Sequence, residues 1–200
     1  ALPILLTPTN LAVLSSKQVA SLGTWQIAGL TTGQVSGMST TFATALQSAQ
    51  VAALTTLSIS NISRLNLQSF TTSSIAALSS EKISALSISQ VASGLSARQV
   101  SALGTSQIVA FSTSQFSSWY WNNISALGTA QVIAIETADF AALTPFNITF
   151  LDPSQMGALS AAQIVAFTSD QVLGLTPDNV LSFTTAQIAS FETRDLVALT

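Results

Sequence analysis

The sequence lacks the side chains on which most enzyme chemistry depends. It contains no cysteine and no histidine, which excludes disulfides, thiolate zinc sites, cysteine nucleophiles and imidazole bases or metal ligands. Charge is scarce as well, since charged residues make up 6% of the 200 positions and the net charge is −3. A chain with so few basic residues is not expected to bind nucleic acid. We therefore expect no catalytic residues, no metal site, no cofactor and no enzymatic activity.

Long apolar runs are missing too, although 48% of the residues are hydrophobic. No uninterrupted run approaches the ~18 residues that a membrane-crossing helix requires. The opening stretch, Ala1 to Leu6, is too short for the apolar core of a signal peptide. Hydroxyl groups, in contrast, are abundant, because 55 residues are Ser or Thr. The composition therefore predicts an apolar, hydroxyl-rich chain without a membrane-spanning segment.

An eight-residue unit, Leu-Thr-Thr-x-Gln-Ile-x-Ala, repeats along the chain. Clear copies occupy residues 30–37 (LTTGQVSG) and 183–190 (FTTAQIAS). A large apolar residue, here called the lead residue, opens each octad, and a second apolar residue follows five positions later. The phase shifts once, by a single residue near Gly94. We expect one repeat array over residues 1–200, with a lead-in at 1–6, a first block at 7–94 and a second block at 95–200.

The residue after the lead residue has the identity of a helix N-cap. It is Ser or Thr in most octads, Asp152 in one, and Gly23, Gly104 or Gly128 in three others. The third residue after this cap is usually Gln, and Ser/Thr-x-x-Gln is the capping box that starts a helix. The lead residue and the second apolar residue then occupy N′ and N4, the two positions of a hydrophobic staple. Each octad thus predicts one short helix.

Proline and charge support the same frame. Four of the five prolines fall on N1, where a missing amide hydrogen costs nothing: Pro8, Pro145, Pro153 and Pro177. All 13 charged residues fall between the N-cap and N3. The acidic pairs Glu136/Asp139 and Glu192/Asp195 fit acidic capping boxes near the positive end of a helix better than a weak cation site.

Helices of about six residues are too short to be stable alone and must pack against neighbours. The prediction is therefore an all-α solenoid of about 24 very short capped helices, with a continuous Leu/Ile/Val/Phe interior and the edge from N-cap to N3 facing water. A β-solenoid is the alternative, because Thr, Val and Ile suit short strands. Regular capping boxes and N1 prolines favour the helical form. The number of octads per turn does not follow from the sequence.

One octad departs from the pattern, in the segment Ser117-Ser118-Trp119-Tyr120-Trp121-Asn122-Asn123. Trp119 occupies a core slot and is expected to pack inside. Tyr120 replaces a cap and Trp121 falls on N1, so both are expected to be exposed. Exposed aromatic side chains can stack on sugars or form an interface. These two residues, with Trp25 as a lesser candidate, are the predicted contacts for a glycan or a protein partner.

Octads such as residues 159–166 (LSAAQIVA) and 183–190 resemble the Thr/Gln/Ile-rich octapeptide tracts of very large bacterial surface or secreted proteins of adhesin type. The resemblance covers nearly the whole chain but carries no functional residue. It implies an extracellular or cell-surface location and a structural or adhesive role.

Two functions follow as hypotheses. The first is a structural stalk, spacer or self-assembling filament, in which the chain stacks end to end on itself or continues a longer array. The second is an adhesin-type module that recognises a surface glycan or a protein through its solvent-facing edge.

Overall fold

The computed structural model describes residues 6–192. Within that range the chain forms 23 short α-helices and no strand, which confirms the all-α prediction and excludes the β-solenoid. The helices are α1 (Pro8–Ala12), α2 (Ser16–Ala20), α3 (Thr24–Ala28), α4 (Thr32–Ser36), α5 (Thr40–Ala45), α6 (Ser48–Ala53), α7 (Thr56–Ser60), α8 (Arg64–Ser69), α9 (Thr72–Ala76), α10 (Ser80–Ser84), α11 (Ile88–Gly94), α12 (Ala97–Ser101), α13 (Thr105–Ile108), α14 (Thr113–Phe116), α15 (Trp121–Ile124), α16 (Thr129–Ala134), α17 (Thr137–Ala141), α18 (Pro145–Ile148), α19 (Pro153–Ala158), α20 (Ala161–Val165), α21 (Ser169–Leu173), α22 (Pro177–Leu181) and α23 (Thr185–Ile188).

Helix capping starts each of these helices where the octad frame predicts. The N-cap always has an extended backbone, for example φ −71° and ψ 157° at Ser160. The reciprocal capping box, in which cap and N3 side chains each bond the other's main-chain N–H, forms at ten caps. These caps are Ser15, Thr31, Ser87, Ser96, Ser112, Asp152, Ser160, Thr168, Thr176 and Thr184. The four prolines also begin their helices, as predicted.

Within each of two units described below, a helix packs against the helix three places along the chain, so one turn of the solenoid contains three octads. The chain divides into two compact units, residues 1–103 and 104–200. In the first unit, α1 packs on α4, α2 on α5 and so on to α9 on α12. In the second, the same relation runs from α13 on α16 to α20 on α23. None of the helices described is long and apolar enough to cross a membrane.

The interior of each unit contains the two predicted apolar positions of the octad. Lead residues such as Leu54 and N4 residues such as Ile59 and Ile83 have no exposed surface. Trp119 is in the core as well, at 3% exposure, with its ring 5.2 Å from that of Phe111 in an edge-on contact. Burying such side chains contributes roughly 1.5–3 kcal/mol each.

The prediction that the N3 position faces water is wrong. Along most of the coil the N3 side chain is buried, and Gln171, Gln163 and Gln155 are 0%, 1% and 1% exposed. The reason is that the N3 side chain lies against the turn before it, where its amide group finds hydrogen-bond partners. The core therefore uses three positions of eight rather than two.

Gln163 shows how the buried amide is satisfied. Its Oε1 accepts from the main-chain N–H of Ser160, 3.0 Å away, at the start of its own helix. Its Nε2 donates to two main-chain carbonyls of the turn before, those of Val132 at 2.8 Å and Ile135 at 3.0 Å. These two carbonyls, at the N4 residue and the next lead residue, lie where one helix ends and the next begins, and are here called the corner carbonyls.

The same pair of donations recurs at the equivalent glutamines. Both corner carbonyls receive a hydrogen bond from Nε2 of Gln50, Gln90, Gln99, Gln155, Gln171 and Gln187. The partners are 31 and 28 residues earlier, except at Gln99. Since the last carbonyls of a helix have no partner within it, each turn completes the helix ends of the turn below.

Other N3 residues donate a single hydrogen bond to the turn before. Asn66, Asn147 and Asn179, one methylene shorter than Gln, each donate to the carbonyl 28 residues earlier. Lys82 donates its ammonium group to the carbonyl of Ala52. At these positions, too, the N3 side chain reaches the turn before as a hydrogen-bond donor.

The extra residue near Gly94 is absorbed inside α11, which is seven residues long where most helices have four to six. A Cβ on Gly94 would lie 3.1 Å from Cδ2 of Leu67 in α8, so the two helices approach closely here. The next glutamine still reaches its corner carbonyls, since Gln99 bonds Leu67 and Phe70 at separations of 32 and 29 residues. The insertion leaves the hydrogen-bonding pattern intact.

A second inter-turn contact joins N1 of one helix to N6 of the helix one turn later, 29 residues on. Arg64 Nη1 donates to Ser93 Oγ at 2.7 Å in this way. At two sites the N1 residue is proline and the N6 residue is glycine, Pro8 with Gly37 and Pro145 with Gly174. A Cβ on Gly37 would lie 2.9 Å from the Cβ of Pro8, so the rigid proline ring requires a residue without a side chain.

Gln163→Glu tests the inter-turn donation. The carboxylate can still accept from Ser160, but it cannot donate to the corner carbonyls and is buried against two oxygen atoms. We expect the free energy of unfolding to fall by about 2–4 kcal/mol, measured by urea denaturation with circular dichroism. Burial raises the pKa of the new carboxyl above that of a free Glu, so this loss should shrink as the pH falls through that raised pKa toward about 4.3, because the protonated group can donate, and should change no further below about 4.3, where folded and unfolded chains are both protonated.

Gln18 provides the matched control. It is exposed, and its Oε1 accepts from the N–H of Ser15 at 2.9 Å, but it makes no bond to an earlier turn within residues 6–192. Gln18→Glu should therefore change the stability by less than about 0.5 kcal/mol. Equal losses at positions 18 and 163 would contradict a role for Nε2 beyond helix capping.

Gly37→Ala tests the N1–N6 contact. The added methyl must displace Pro8 and also lies 3.2 Å from the carbonyl oxygen of Gly33, so we expect a loss of about 1 kcal/mol. Gly33→Ala is the control, because a Cβ there meets nothing within 4 Å. Inside a helix that change should stabilise the protein by about 0.5–1 kcal/mol. Thermal and urea unfolding of both variants would detect the opposite signs.

Candidate interaction surface

The three predicted contact residues are all exposed, but they lie in different units. Trp25 occupies N2 of α3 in the first unit and is 57% exposed. Its indole lies against the N-cap of its own helix, where a Cβ on Gly23 would come within 2.9 Å of Nε1. The glycine cap therefore gives the indole space to fold back. Trp25 has no ring contact with another aromatic residue within the described part of the chain.

Tyr120 and Trp121 belong to the second unit, at the N-cap and N1 of α15. They are 57% and 50% exposed, as predicted. Tyr120 provides no side-chain cap to its helix. The Trp121 ring has its centroid 5.3 Å from that of Phe150, with 32° between the planes. This is the N1–N6 contact again, here between two aromatic rings.

Phe146 extends this group of rings and was missed by sequence reasoning. It is 61% exposed, and its centroid lies 4.9 Å from that of Phe150 in an edge-on arrangement. We call Trp121, Phe146 and Phe150 the aromatic platform. The signal was present in the sequence, because Phe150 fills the small-residue slot before a lead residue, 29 positions after Trp121. That two residues separated by 29 positions lie in contact follows only once three octads are known to make one turn.

An open groove of about 620 Å³ begins next to the platform. Thr149, the neighbour of Phe150 in the chain, lines it together with Pro153, Thr176, Asp178, Leu181 and Ser182. Thr149 Oγ1 donates to the carbonyl of Phe146 at 2.8 Å, which ties the groove wall to the platform. The lining thus combines apolar surface, hydroxyl oxygens and one exposed carboxylate.

Charge is distributed unevenly between the two units. Residues 1–103 contain four basic and one acidic residue, a net charge of +3. Residues 104–200 contain one basic and seven acidic residues, a net charge of −6, and the single base is Arg194. The two octads that build the platform, residues 120–127 and 144–151, contain no charged residue. The platform is therefore a neutral site within an acidic unit.

The acidic pair Glu136/Asp139 does not form the expected acidic capping box. Glu136 is the N-cap of α17 but makes no side-chain cap bond. Asp139 is instead buried at 5% exposure and accepts from Thr113 Oγ1, 2.7 Å away in the turn before. The burial of N3 side chains draws this carboxylate inward. The second pair, Glu192/Asp195, extends outside the described residues.

Between residues 6 and 192, no cluster of three or more acidic side chains could hold a metal ion. Asn123 and Asn147, which stand at N3 in place of Gln, are buried at 1% and 3% exposure. The main-chain N–H of Asn147 donates to the cap hydroxyl of Thr144 at 3.1 Å, and its side-chain Nδ2 donates to the carbonyl of Trp119 at 2.8 Å.

Comparison with known protein families identifies a repeat. The model of the ALTTAQ repeat family matches residues 132–168 and 148–185. These matches support a repeat-protein region in the second unit. No curated protein matches the chain.

A double-mutant cycle tests the pairing of Trp121 with Phe150. We expect Trp121→Ala and Phe150→Ala to be coupled by about 0.5–1.5 kcal/mol in unfolding free energy, the usual value for an aromatic pair. The combination of Trp121→Ala with Phe146→Ala is the control. These two rings make no direct contact in the described chain, so their coupling should stay below about 0.5 kcal/mol. Equal couplings in the two cycles would refute the paired geometry.

Proposed function

We propose that the chain is a structural module that holds two points at a fixed distance, as a stalk or spacer of a protein outside the cell or on its surface. The single observation that carries this proposal is the repeated donation from the buried N3 amide to the corner carbonyls of the previous turn. Because each turn bonds the one before it in the same way, turns can be added without any new chemistry.

The surface fits this role. Exposed positions contain mainly Ser, Thr and Ala with few charges, so the stability of the coil depends little on the screening of ion pairs by salt. The chain has only five Lys and Arg residues, which limits cleavage by proteases that recognise basic residues. A self-assembling filament serves the same structural role. In a filament, further copies of the chain extend the array, whereas in a spacer further turns within one chain do so.

An adhesin-type binding module is the second candidate. The observation that favours it is the aromatic platform, since three rings gathered at a surface are not needed to build the coil. The two candidates are compatible, because a spacer can display a binding surface.

Distances between spin labels test the spacer function. Ser114, Ala138, Ala162 and Ala186 occupy the exposed N2 position of α14, α17, α20 and α23, one turn apart. The chain has no native cysteine, so pairs of introduced cysteines label cleanly. We expect narrow distance distributions, with the mean for 114/186 exceeding that for 114/162 by one helix spacing, about 8–10 Å.

Inserting a second copy of residues 160–183 after Phe183 should add one further turn between labels at Ser114 and Ala186. The mean distance should then grow by the same about 8–10 Å and the distribution should stay narrow. An insertion of only 12 residues is the control, because it shifts the glutamines away from the corner carbonyls. Broad distributions in the parent chain, or no added length after the 24-residue insertion, would refute the spacer.

A further inference from the structure

We propose that the aromatic platform and the adjoining groove bind a neutral oligosaccharide. The proposal deepens the second candidate function and rests on it. The sequence already singles out Trp121; the structure adds Phe146, Phe150 and the groove, and it restricts the chemistry of the ligand.

The first argument is the exposure of the rings on a supported surface. Trp121 and Phe146 are 50% and 61% exposed, while Phe150 lies between them with partial burial. Pro145 at N1 fixes the backbone just before Phe146. Aromatic faces held in place in this way suit the C–H face of a pyranose ring, which packs against them while its hydroxyl groups stay in water.

The second argument is size. At 150–250 Å² per aromatic side chain, the exposed parts of these rings amount to on the order of 250 Å². A stable protein–protein interface requires about 800 Å² from each partner. The platform is thus large enough for one or two sugar rings and too small for a stable contact with a second copy or another protein.

The third argument comes from the groove. Hydroxyl protons of its wall are used internally: Ser182 Oγ donates to the carbonyl of Asp178 at 2.6 Å, and Thr176 Oγ1 donates to Asn179 Oδ1 at 2.8 Å. Ser182 Oγ therefore remains as an acceptor, and Thr176 Oγ1, which already accepts from the main-chain N–H of Asn179 at 3.2 Å, keeps one lone pair. The exposed Asp178 carboxylate adds two more acceptor atoms. Acceptor atoms on the groove wall are complementary to a ligand with many hydrogen-bond donors, and sugar hydroxyl groups are such donors.

The fourth argument is charge. The octads of the platform are uncharged, and residues 104–192 contain six acidic residues and no basic one. An anionic glycan would be repelled by this unit. A cationic peptide would find no carboxylate within the platform octads themselves. A neutral saccharide of several units can place one ring on the uncharged platform and the next in the groove, where the Asp178 carboxylate accepts hydrogen bonds from its hydroxyl groups.

The test is titration of the whole chain with tetrasaccharides, followed by calorimetry and tryptophan fluorescence. The neutral probes are cellotetraose, maltotetraose and tetra-N-acetylchitotetraose; tetragalacturonate and tetralysine are the anionic and cationic probes. We expect at least one neutral probe to bind with a dissociation constant of about 1 mM or lower. Tetragalacturonate should bind at least about tenfold more weakly, and tetralysine no more tightly than the neutral probe.

Variants then locate the site. Trp121→Ala and Phe146→Ala should each weaken binding of the neutral probe about tenfold. Phe146 is the more exposed ring, so its variant remains informative if loss of Trp121 disturbs folding. Asp178→Asn should weaken binding severalfold, because it exchanges an acceptor for a donor. Trp25→Ala is the matched control, as it removes an equally exposed tryptophan from the other unit and should leave binding unchanged.

Several results would overturn the proposal. These are the absence of binding by every neutral probe, binding that survives both Trp121→Ala and Phe146→Ala, tighter binding of tetralysine, and a Trp121-dependent dimer in sedimentation. Failure here leaves the spin-label distances unaffected, so the spacer function and the sugar site stand or fall separately.

Discussion

The main-chain carbonyls at the ends of these helices are the constraint on which the whole coil depends. A helix of four to seven residues leaves most of its carbonyls without an intrahelical partner, and the turns above would bury them. Gln at N3 solves this by accepting from its own cap with Oε1 and donating to the turn below with Nε2, as Gln163 does. Glu would cap equally well, but its ionised form has no hydrogen to donate.

The separate roles of Oε1 and Nε2 explain why Gln recurs at N3 of the octad, rather than a residue that only caps the helix. Where Asn replaces Gln, its shorter side chain makes one donation in place of two, as at Asn147 and Asn179. Where Asp139 stands, the bond reverses and a threonine of the turn before donates to the carboxylate. The array tolerates such exceptions because the apolar core, rather than any single bond, supplies most of the stability of each turn.

The sequence predicts the helices well because their signals are local. Caps, N1 prolines and the staple pair are all read within one octad, and the described helices start where this frame places them. Inter-turn features are different, because their partners are 26 to 32 residues away and their spacing depends on three octads per turn. The burial of N3 and the contact of Trp121 with Phe150 therefore could not be predicted before that number was known. Residue pairs separated by 28, 29 and 31 positions can be found in the sequence, but their contact follows only from the number of octads per turn.

The separation between core and surface positions also explains how such a uniform coil can acquire a local function. Lead, N4 and N3 positions are fixed by packing and corner bonds, so variation is free only at N-cap, N1, N2, N5 and N6. Trp121 and Phe146 use N1 and N2, while Phe150 uses N6, where it meets Trp121 across one turn. A residue at N1 and a residue at N6, 29 positions later, thus form a pair that touches across one turn outside the core. Pro145 with Gly174 uses this freedom for close packing, and the same geometry at Trp121 and Phe150 places two rings side by side at the surface.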